Sequence, residues 1–306
     1  MEKQGQKRWS KLKDFLLKKK NFNIIQKITF DLFDKKQETV ENFQTQIQNS
    51  ENNNKIEEKS HQSQTVIKYN YYQNDENEKL INKQKKIQAS IIQQQSEISL
   101  NELKQYNSEK IDSTGVQLWP AEEVLAYFCL KKIKQFKNQS IIELGAGYSG
   151  LAGILLAKFL LENQQQTNLN LKITDGNSVC AKHLQKNIEI NFQLIWDVNY
   201  TSNEKYNRII IADCLFFKQY HQALVETLAN LLDKQNGVIY IIGPKRGDSM
   251  DIFLKLSEKY FSHQFIAFND EKYQQQQEKQ QQLNDYDPDK NQLYFIQLEF
   301  KKILDQ

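Results

Sequence analysis

The segment that decides the fold is IIELGAGYSGLAG, residues 141–153. An apolar run that contains one carboxylate, Glu143, leads into Gly145, Gly147 and Gly150, and a helix-like apolar segment follows. This G-x-G-x-x-G spacing predicts a tight turn between a buried strand and a helix, at which a nucleotide-like ligand binds. In dinucleotide-binding proteins the same turn holds a pyrophosphate, so the spacing by itself leaves the ligand open.

From residue 112 onward, short apolar runs alternate with amphipathic segments, a pattern that predicts helices between the strands of a parallel sheet. The predicted strands are residues 140–145, 171–175, 192–197, 208–213, 237–243, 263–269 and 293–300. The last two are separated by a glutamine-rich stretch, residues 272–282, which is predicted to be a solvated loop. Parallel neighbours need a long and usually helical crossover, so this pair is expected to be antiparallel. We therefore predict an α/β fold with a Rossmann-like seven-stranded sheet whose last strand is antiparallel.

The first 111 residues differ in character and predict a smaller α+β region. A basic segment ends in the strand-like KITFDLF, residues 27–33, and TVIKYNYY, residues 65–72, is a further strand candidate. Residues 44–64 have almost nothing to bury and are predicted to form a disordered polar loop. The second and larger domain is expected to span residues 112–306.

Composition and charge exclude several classes of protein. The formal charge of +3 is too small to indicate nucleic-acid binding, and no apolar run is long enough to span a membrane. The amino terminus is too charged for a secretory signal. The three cysteines lie far apart and the four histidines lack metal-ligand spacing, so neither a disulfide framework nor a metal site is predicted. We expect a monomeric protein of the cytoplasm, with the nucleus as a second compartment.

Three features argue against a dinucleotide at the glycine turn. The segment before it, residues 114–130, is predicted to be a loop and a capping helix, which a dinucleotide domain does not need. Glu143 would lie near the ligand, where a carboxylate repels a pyrophosphate and attracts a cation or an amine. An antiparallel last strand is typical of methyltransferase sheets. S-adenosyl-L-methionine, which has a positive sulfonium and no phosphate, agrees with all three.

Two further residues bear on the ligand without deciding between the alternatives. Asp175 ends a predicted strand, where it would reach the ribose hydroxyls of either ligand. Trp196 lies near the end of the next predicted strand, where it would either stack on an adenine or fill the core.

Several segments together resemble the seven-strand protein-lysine methyltransferases, and most closely the branch that methylates calmodulin. They are TGVQLWPAEEVLAYFCL, IIELGAGYSGLAG, TDGNSVCAKHLQKNIEIN, IIIADCLFFKQYHQALVETL and GPKRGDSMDIFLKL. The resemblance covers about residues 112–262, with a looser similarity in KRWSKLK and FDLF near the start. It implies S-adenosyl-L-methionine as methyl donor and a lysine of a protein substrate, calmodulin, as acceptor.

The resemblance also implies a role for individual residues. Asp213 would open the lysine pocket as the first residue of the D-x-x-Tyr signature of related enzymes. Here the signature is DCLF, with Phe216 in place of the tyrosine, as in the calmodulin-directed branch. Phe216 and its neighbour Phe217 would form apolar walls of the pocket. The residues implied to line the cofactor are Trp119, Gly145, Ala146, Gly147, Asp175, Trp196 and Ala212.

Other functions remain open on the sequence alone. The enzyme could methylate a lysine of another protein, such as an elongation factor or a chaperone. The chain could instead bind the cofactor without turnover and scaffold an acidic partner, and an NAD-linked oxidoreductase is a third alternative. The basic cluster in residues 3–20 would be either a solvated face or a docking site for an acidic protein.

Overall fold

The computed structural model describes residues 30–48, 56–73, 85–93, 118–163, 166, 168–187, 192–193, 197, 199–283 and 286–302. The strands are β1 (Asp34–Gln48), β2 (Ile56–Gln73), β3 (Lys85–Gln93), β4 (Ile141–Leu144), β5 (Leu171–Asp175), β6 (Phe192–Gln193), β7 (Arg208–Ala212), β8 (Val238–Pro244), β9 (Phe261–Phe265) and β10 (Leu293–Phe300). The α-helices are α1 (Pro120–Lys131), α2 (Leu151–Asn163), α3 (Ser178–Asn187), α4 (His221–Leu231), α5 (Ser249–Ser257), α6 (Glu271–Gln281) and α7 (Pro288–Asn291). Within these ranges no helix is both long and apolar enough to cross a bilayer.

Strands β4 to β10 form one sheet in the order β6-β5-β4-β7-β8-β10-β9. The first five of these strands pair in parallel, whereas β10 is antiparallel to both β8 and β9. The predicted Rossmann-like sheet of seven strands with an antiparallel last strand is therefore confirmed. β9 begins two residues earlier than predicted.

The glutamine-rich segment before β10 is not a loop, so that prediction is wrong. It forms α6, and the short helix α7 follows it. The side chain of Asp270 caps α6 by accepting the N–H of Tyr273, and the Tyr273 ring is buried against Phe268 and Phe295. Glutamine has a good helix propensity, and this buried aromatic residue attaches the helix to the core. The antiparallel direction of β10 was predicted from the lack of a helix before it; β10 is antiparallel, but two helices precede it.

Strands β1, β2 and β3 form a separate antiparallel sheet. The pairing of β1 with β2 extends to Gln48 opposite Ile56, so the loop predicted for residues 44–64 is wrong wherever the structure describes that segment. A two-stranded ribbon satisfies its backbone hydrogen bonds by pairing, which does not require an apolar sequence. Strand β3 lies in a stretch for which no strand was predicted. Residues 30–33, by contrast, precede β1 and are not a strand.

The small sheet shares one hydrophobic core with α1 and α2. Tyr71 of β2 packs its ring against Tyr127 of α1 and Phe159 of α2. In β3 the N–H of Ile92 donates to the side-chain oxygen of Asn187 at the end of α3. The division into two domains near residue 112 stays a prediction, because residues 94–117 lie outside the described ranges.

Glu123 of α1 connects the segment before β1 to this core. Its side chain is only 1% exposed. One carboxylate oxygen accepts the backbone N–H of Leu32 at 3.0 Å, and the other lies 2.8 Å from the Nζ of Lys35. On the opposite side, Lys272 of α6 donates to the carbonyl of Leu32. The backbone of Leu32 is thus held by two elements that are far apart in sequence.

Replacing this buried carboxylate should destabilise the protein. Glu123→Ala should lower the free energy of unfolding by about 1–3 kcal/mol, because the N–H of Leu32 loses its acceptor. Glu38→Ala is the matched control: this carboxylate also binds two partners, Lys36 and Lys68, but it is about one third exposed, so its loss should matter much less. Urea unfolding measures both variants, and equal losses would contradict the structural role of Glu123.

Candidate functional site

The site lies where the strand order of the large sheet reverses. From β4 the chain continues outward through β5 and β6, and then returns to place β7 on the other side of β4. In open α/β sheets, ligands bind at such a switch point, outside the carboxyl ends of the strands. The residues that follow β4, β5, β7 and β8 therefore meet at one edge of the sheet.

The glycine turn after β4 has the conformation that its spacing predicts. Gly145, Gly147 and Gly150 all have positive φ angles, of 69°, 61° and 55°. At Gly150 a Cβ atom would come within 2.7 Å of Leu184 and 3.0 Å of Ile173, so a side chain is excluded there by space as well as by conformation. The turn brings backbone groups, not side chains, to the edge of the sheet.

Asp175, the last residue of β5, holds the glycine turn through hydrogen bonds. Its two oxygens accept the N–H groups of Gly147 and Asn177, both at 2.8 Å. The residue is buried, and burial raises the pKa of its carboxyl group to about 6, although the two N–H donors oppose the shift. Each carboxylate oxygen retains a second lone pair, so Asp175 can still accept hydroxyl groups of a ligand.

A pair of buried carboxyl groups lies at the start of α2. Glu122 of α1 accepts the N–H of Ala152, and Glu143 of β4 accepts the N–H of Gly153, each at 2.8 Å. Burial raises the pKa of both groups, that of Glu122 to about 7, and the Glu122 carboxylate raises the pKa of Glu143 further. Glu143 is 1% exposed, so it stands behind the glycine turn rather than at its surface.

These carboxyl groups determine which ligand charge the turn accepts. In a dinucleotide fold the N–H groups at the start of the helix are free to bind a pyrophosphate. Here the first-turn N–H groups of Ala152 and Gly153 are bound by Glu122 and Glu143, and Asp175 binds the N–H of Gly147. Carboxyl groups, not free N–H donors, therefore surround the turn, an arrangement that disfavours a phosphate and suits a positively charged ligand.

A second cluster, the arginine clamp, consists of Asp213, Arg246, Trp119 and Phe216. Arg246 donates through Nε to Oδ1 of Asp213 at 3.0 Å and through Nη2 to Oδ2, which is a bidentate ion pair. Its guanidinium carbon lies 5.8 Å from the ring centre of Trp119 and 5.1 Å from that of Phe216. Asp213 and Arg246 both have φ angles of 51°, a left-handed backbone conformation that non-glycine residues seldom adopt.

Two sets of contacts hold the loops that carry the clamp. The carbonyl of Leu215, two residues after Asp213, accepts hydrogen bonds from the Ser249 hydroxyl and from Nε2 of the buried His221. Burial lowers the pKa of His221, so its ring is neutral at pH 7. On the other loop, the carboxylate of Asp289 accepts the N–H of Gly247, next to Arg246.

The remaining predicted site residues are placed as follows. Ala212 is buried at the end of β7, and Ala146 is buried within the glycine turn. Phe217 packs edge-on against Phe216, and the Phe216 ring is 41% exposed. Trp196 lies outside the described residues.

Sequence reasoning missed Arg246 and Gly153. The segment GPKRGD was recognised only as part of the resemblance, although a basic residue between Pro244 and Gly247, directly after a strand, marks a turn at the ligand edge. At Gly153 a Cβ atom would lie 2.5 Å from Oε2 of Glu143, so this glycine makes room for the buried carboxyl group.

The fold and this site together define a methyltransferase of the Rossmann-like class. A sequence profile described as lysine methyltransferase matches residues 96–260, more than half of the chain, and the chain belongs to that family. The methyl donor of this family is S-adenosyl-L-methionine, the ligand predicted from the sequence. Its positive sulfonium agrees with the carboxyl groups around the glycine turn.

A curated relative is the calmodulin-lysine N-methyltransferase of Arabidopsis thaliana, which is 34% identical over 185 residues. The alignment covers 56% of this chain and 59% of that protein, so the chain spans about three fifths of the relative's length.

Solved structures with similarity to the chain include a TehB-like SAM-dependent methyltransferase from Corynebacterium glutamicum and the N-methyltransferase NodS from Bradyrhizobium japonicum. The first is 14% identical, with a TM-score of 0.37 and coverage of 66% of this chain and 95% of that one. The second is 10% identical, with a TM-score of 0.40 and coverage of 60% and 98%. Both are too distant to assign a function.

The role of Asp175 can be tested by binding. If Asp175 accepts the ribose hydroxyls, Asp175→Ala should weaken binding of S-adenosyl-L-methionine at least about tenfold, because each hydrogen bond to a charged group is worth about 1.5–3 kcal/mol. Asp233→Ala is the matched control, since Asp233 also accepts two backbone N–H groups, those of Gln235 and Asn236, but precedes β8 at the opposite edge of the sheet. Calorimetry that gives both variants the wild-type dissociation constant would refute the assignment.

Proposed function

We propose that this chain transfers methyl groups from S-adenosyl-L-methionine to a lysine side chain of calmodulin. Membership of the lysine methyltransferase family supports a protein lysine as the acceptor. The name of the Arabidopsis relative supports calmodulin. The eight lysine and arginine residues in residues 3–20, which lie outside the described ranges, agree with an acidic partner.

The observation that carries the proposal is the position of Asp213. This carboxylate follows β7, the strand next to the glycine turn, and its side chain is 10% exposed. The thiol of Cys214, the next residue, lies 3.6 Å from the carbonyl of Leu144 at the end of β4. Asp213 and the proposed cofactor turn are therefore adjacent, as a transfer from cofactor to substrate requires.

The surface around Asp213 suits a lysine side chain of a protein substrate. Phe216 and Phe217 follow Asp213, and the exposed face of Phe216 is available to a protein surface. Apolar walls of this kind would surround the methylene groups of a lysine, while Asp213 binds its nitrogen through N–H groups. Phe216 has no hydroxyl group, so it acts only by packing and by excluding water.

The amine must be neutral to react. With an ordinary lysine pKa near 10.4, deprotonation at pH 7 costs about 4.6 kcal/mol. An apolar pocket lowers this cost because burial disfavours the ammonium form. When bound, S-adenosyl-L-methionine would supply the electrophilic methyl group for the lone pair of the lysine amine, and its sulfur would take the electron pair of the broken S–C bond. The residues of this chain align the two groups and keep water away.

We propose that the glycine turn, together with Asp175, Trp119 and Ala212, holds the cofactor. Asp175 would accept the ribose hydroxyls through its free lone pairs. Trp119 of the arginine clamp lies at the start of α1, against the guanidinium of Arg246, and would cover the cleft near the reacting groups. Glu143 would act from behind the turn, through the N–H of Gly153 and through its charge.

A methyl-transfer assay tests the proposal. Full-length protein should transfer labelled methyl groups to calmodulin, and mass spectrometry should place them on lysine. Asp213→Ala should reduce transfer by at least about a hundredfold, because the amine loses its positioning group, while affinity for the cofactor changes little. Asp248→Ala, which removes an exposed carboxylate paired with Lys218, is the control and should retain activity.

Other results of the methyl-transfer assay would favour other functions or another location for the lysine pocket. Transfer to a different protein in a cell lysate, but not to calmodulin, would favour a methyltransferase with another substrate. Tight cofactor binding without transfer to any protein would favour a non-catalytic scaffold. Full activity of Asp213→Ala would show that the lysine pocket lies on another strand.

A further inference from the structure

An unpaired Asp213 would work against the reaction that it serves. A carboxylate within hydrogen-bonding distance of an amine favours the ammonium form and raises its pKa. Methyl transfer needs the neutral amine, so a lone anion in the lysine pocket would bind the substrate in its unreactive state. The arginine clamp removes this conflict, because Arg246 already occupies both oxygens of Asp213.

The surrounding structure holds both members of the ion pair in the arginine clamp in place. Arg246 and Asp213 are 33 residues apart in sequence, and their side chains are 19% and 10% exposed. Both residues adopt the left-handed backbone conformation. Asp289 holds the turn at Arg246 in this conformation: the Asp289 carbonyl accepts the N–H of Arg246, and the Asp289 carboxylate accepts the N–H of Gly247. Strained conformations at both ends of an ion pair persist only when the surroundings enforce them.

We propose that Arg246 is a positioning residue of the methyl-transfer site, which fixes the Asp213 carboxylate and cancels its charge so that the substrate lysine loses its proton to solvent water before transfer. This inference rests on the proposed function. The lone pairs of Asp213 that Arg246 does not use remain available to the amine N–H groups. The guanidinium adds a positive charge near the lysine, which also disfavours the ammonium form.

Other charged groups surround the pocket and must be held constant in a test. The charges of Asp175, Glu122 and Glu143 act on the thiol of Cys214, next to Asp213. Other ionisable groups near the clamp include Lys218, Lys245 and Asp248, together with Asp251 of α5 and Asp289 of α7. All of them are the same in wild type and in an Arg246 variant, as is the charge of the bound methyl donor. A difference between the two pH profiles therefore reports Arg246 and its effect on Asp213.

The pH dependence of kcat provides the decisive readout, because a merely structural role would lower kcat without moving its midpoint. Arg246→Gln leaves Asp213 as an unpaired anion, so the lysine pKa in the complex should rise by about 1–3 units. The rising limb of log kcat against pH should move to higher pH by the same amount. At pH 7 kcat should fall at least about tenfold, since each unit of pKa is a factor of ten in neutral amine. The KM for S-adenosyl-L-methionine should change less than kcat, since the hydrogen bonds of Arg246 go to Asp213, and among the proposed cofactor residues Arg246 contacts the ring of Trp119.

Two further variants separate charge from geometry. Arg246→Lys retains the positive charge but lacks the bidentate fork, so its midpoint should stay near that of wild type while kcat falls at every pH. Lys245→Gln is the matched control, because it removes a neighbouring cation whose partner, Asp251, is exposed; its profile should match wild type. Melting curves verify that each variant is folded. If Arg246→Gln does not fold, Arg246→Lys decides the question, and a wild-type kcat in that variant would overturn the positioning role.

The outcomes distinguish this inference from the proposed function. Wild-type transfer to calmodulin with no shift in Arg246→Gln, or with a shift to lower pH, overturns the inference alone. Higher activity of Arg246→Gln at every pH also overturns it, because Arg246 would then be a latch that the substrate displaces. Absence of transfer by the wild-type protein overturns both.

Discussion

The N–H groups of the glycine turn and of the first turn of α2 are bound by carboxyl groups of the chain itself, and the rest of the site depends on this arrangement. Glu122 and Glu143 bind the start of α2, and Asp175 binds the turn. A helix start usually attracts anions. Here that position is already satisfied by acidic groups, so the same G-x-G-x-x-G spacing that serves a pyrophosphate elsewhere disfavours one in this chain.

Glu122 and its neighbour Glu123 join distant parts of the chain through α1. Glu122 brings α1 to the start of α2, and the next residue, Glu123, binds the segment before β1. The small sheet reaches the turn by a second route, since Asn187 accepts the N–H of Ile92 and donates to the carbonyl of Tyr148. The amino-terminal region and the methyl-donor site are therefore mechanically connected through α1 and α3.

The large sheet and the glycine turn were predictable from the sequence because their signals are local. Apolar runs mark buried parallel strands, and glycine spacing marks the turn. The TVIKYNYY part of β2 was predictable as a strand, whereas the extension of β2 back to Ile56 and its pairing with β1 were not, because backbone pairing requires no apolar sequence pattern. The helix α6 was missed because a glutamine-rich segment has no apolar stripe, and its contacts with the core come from single residues such as Tyr273 and Lys272. The pairing of Arg246 with Asp213 joins two loops, and no local pattern specifies such a contact.

The most direct test of the account is which ligand the glycine turn accepts. Thermal unfolding of the full-length protein should be measured with saturating S-adenosyl-L-methionine, with its demethylated product, and with NAD, because a ligand that binds the folded state raises the melting temperature. The account predicts a clear increase with the first two and none with NAD. Equal stabilisation by NAD, or no stabilisation by any of the three, would contradict it.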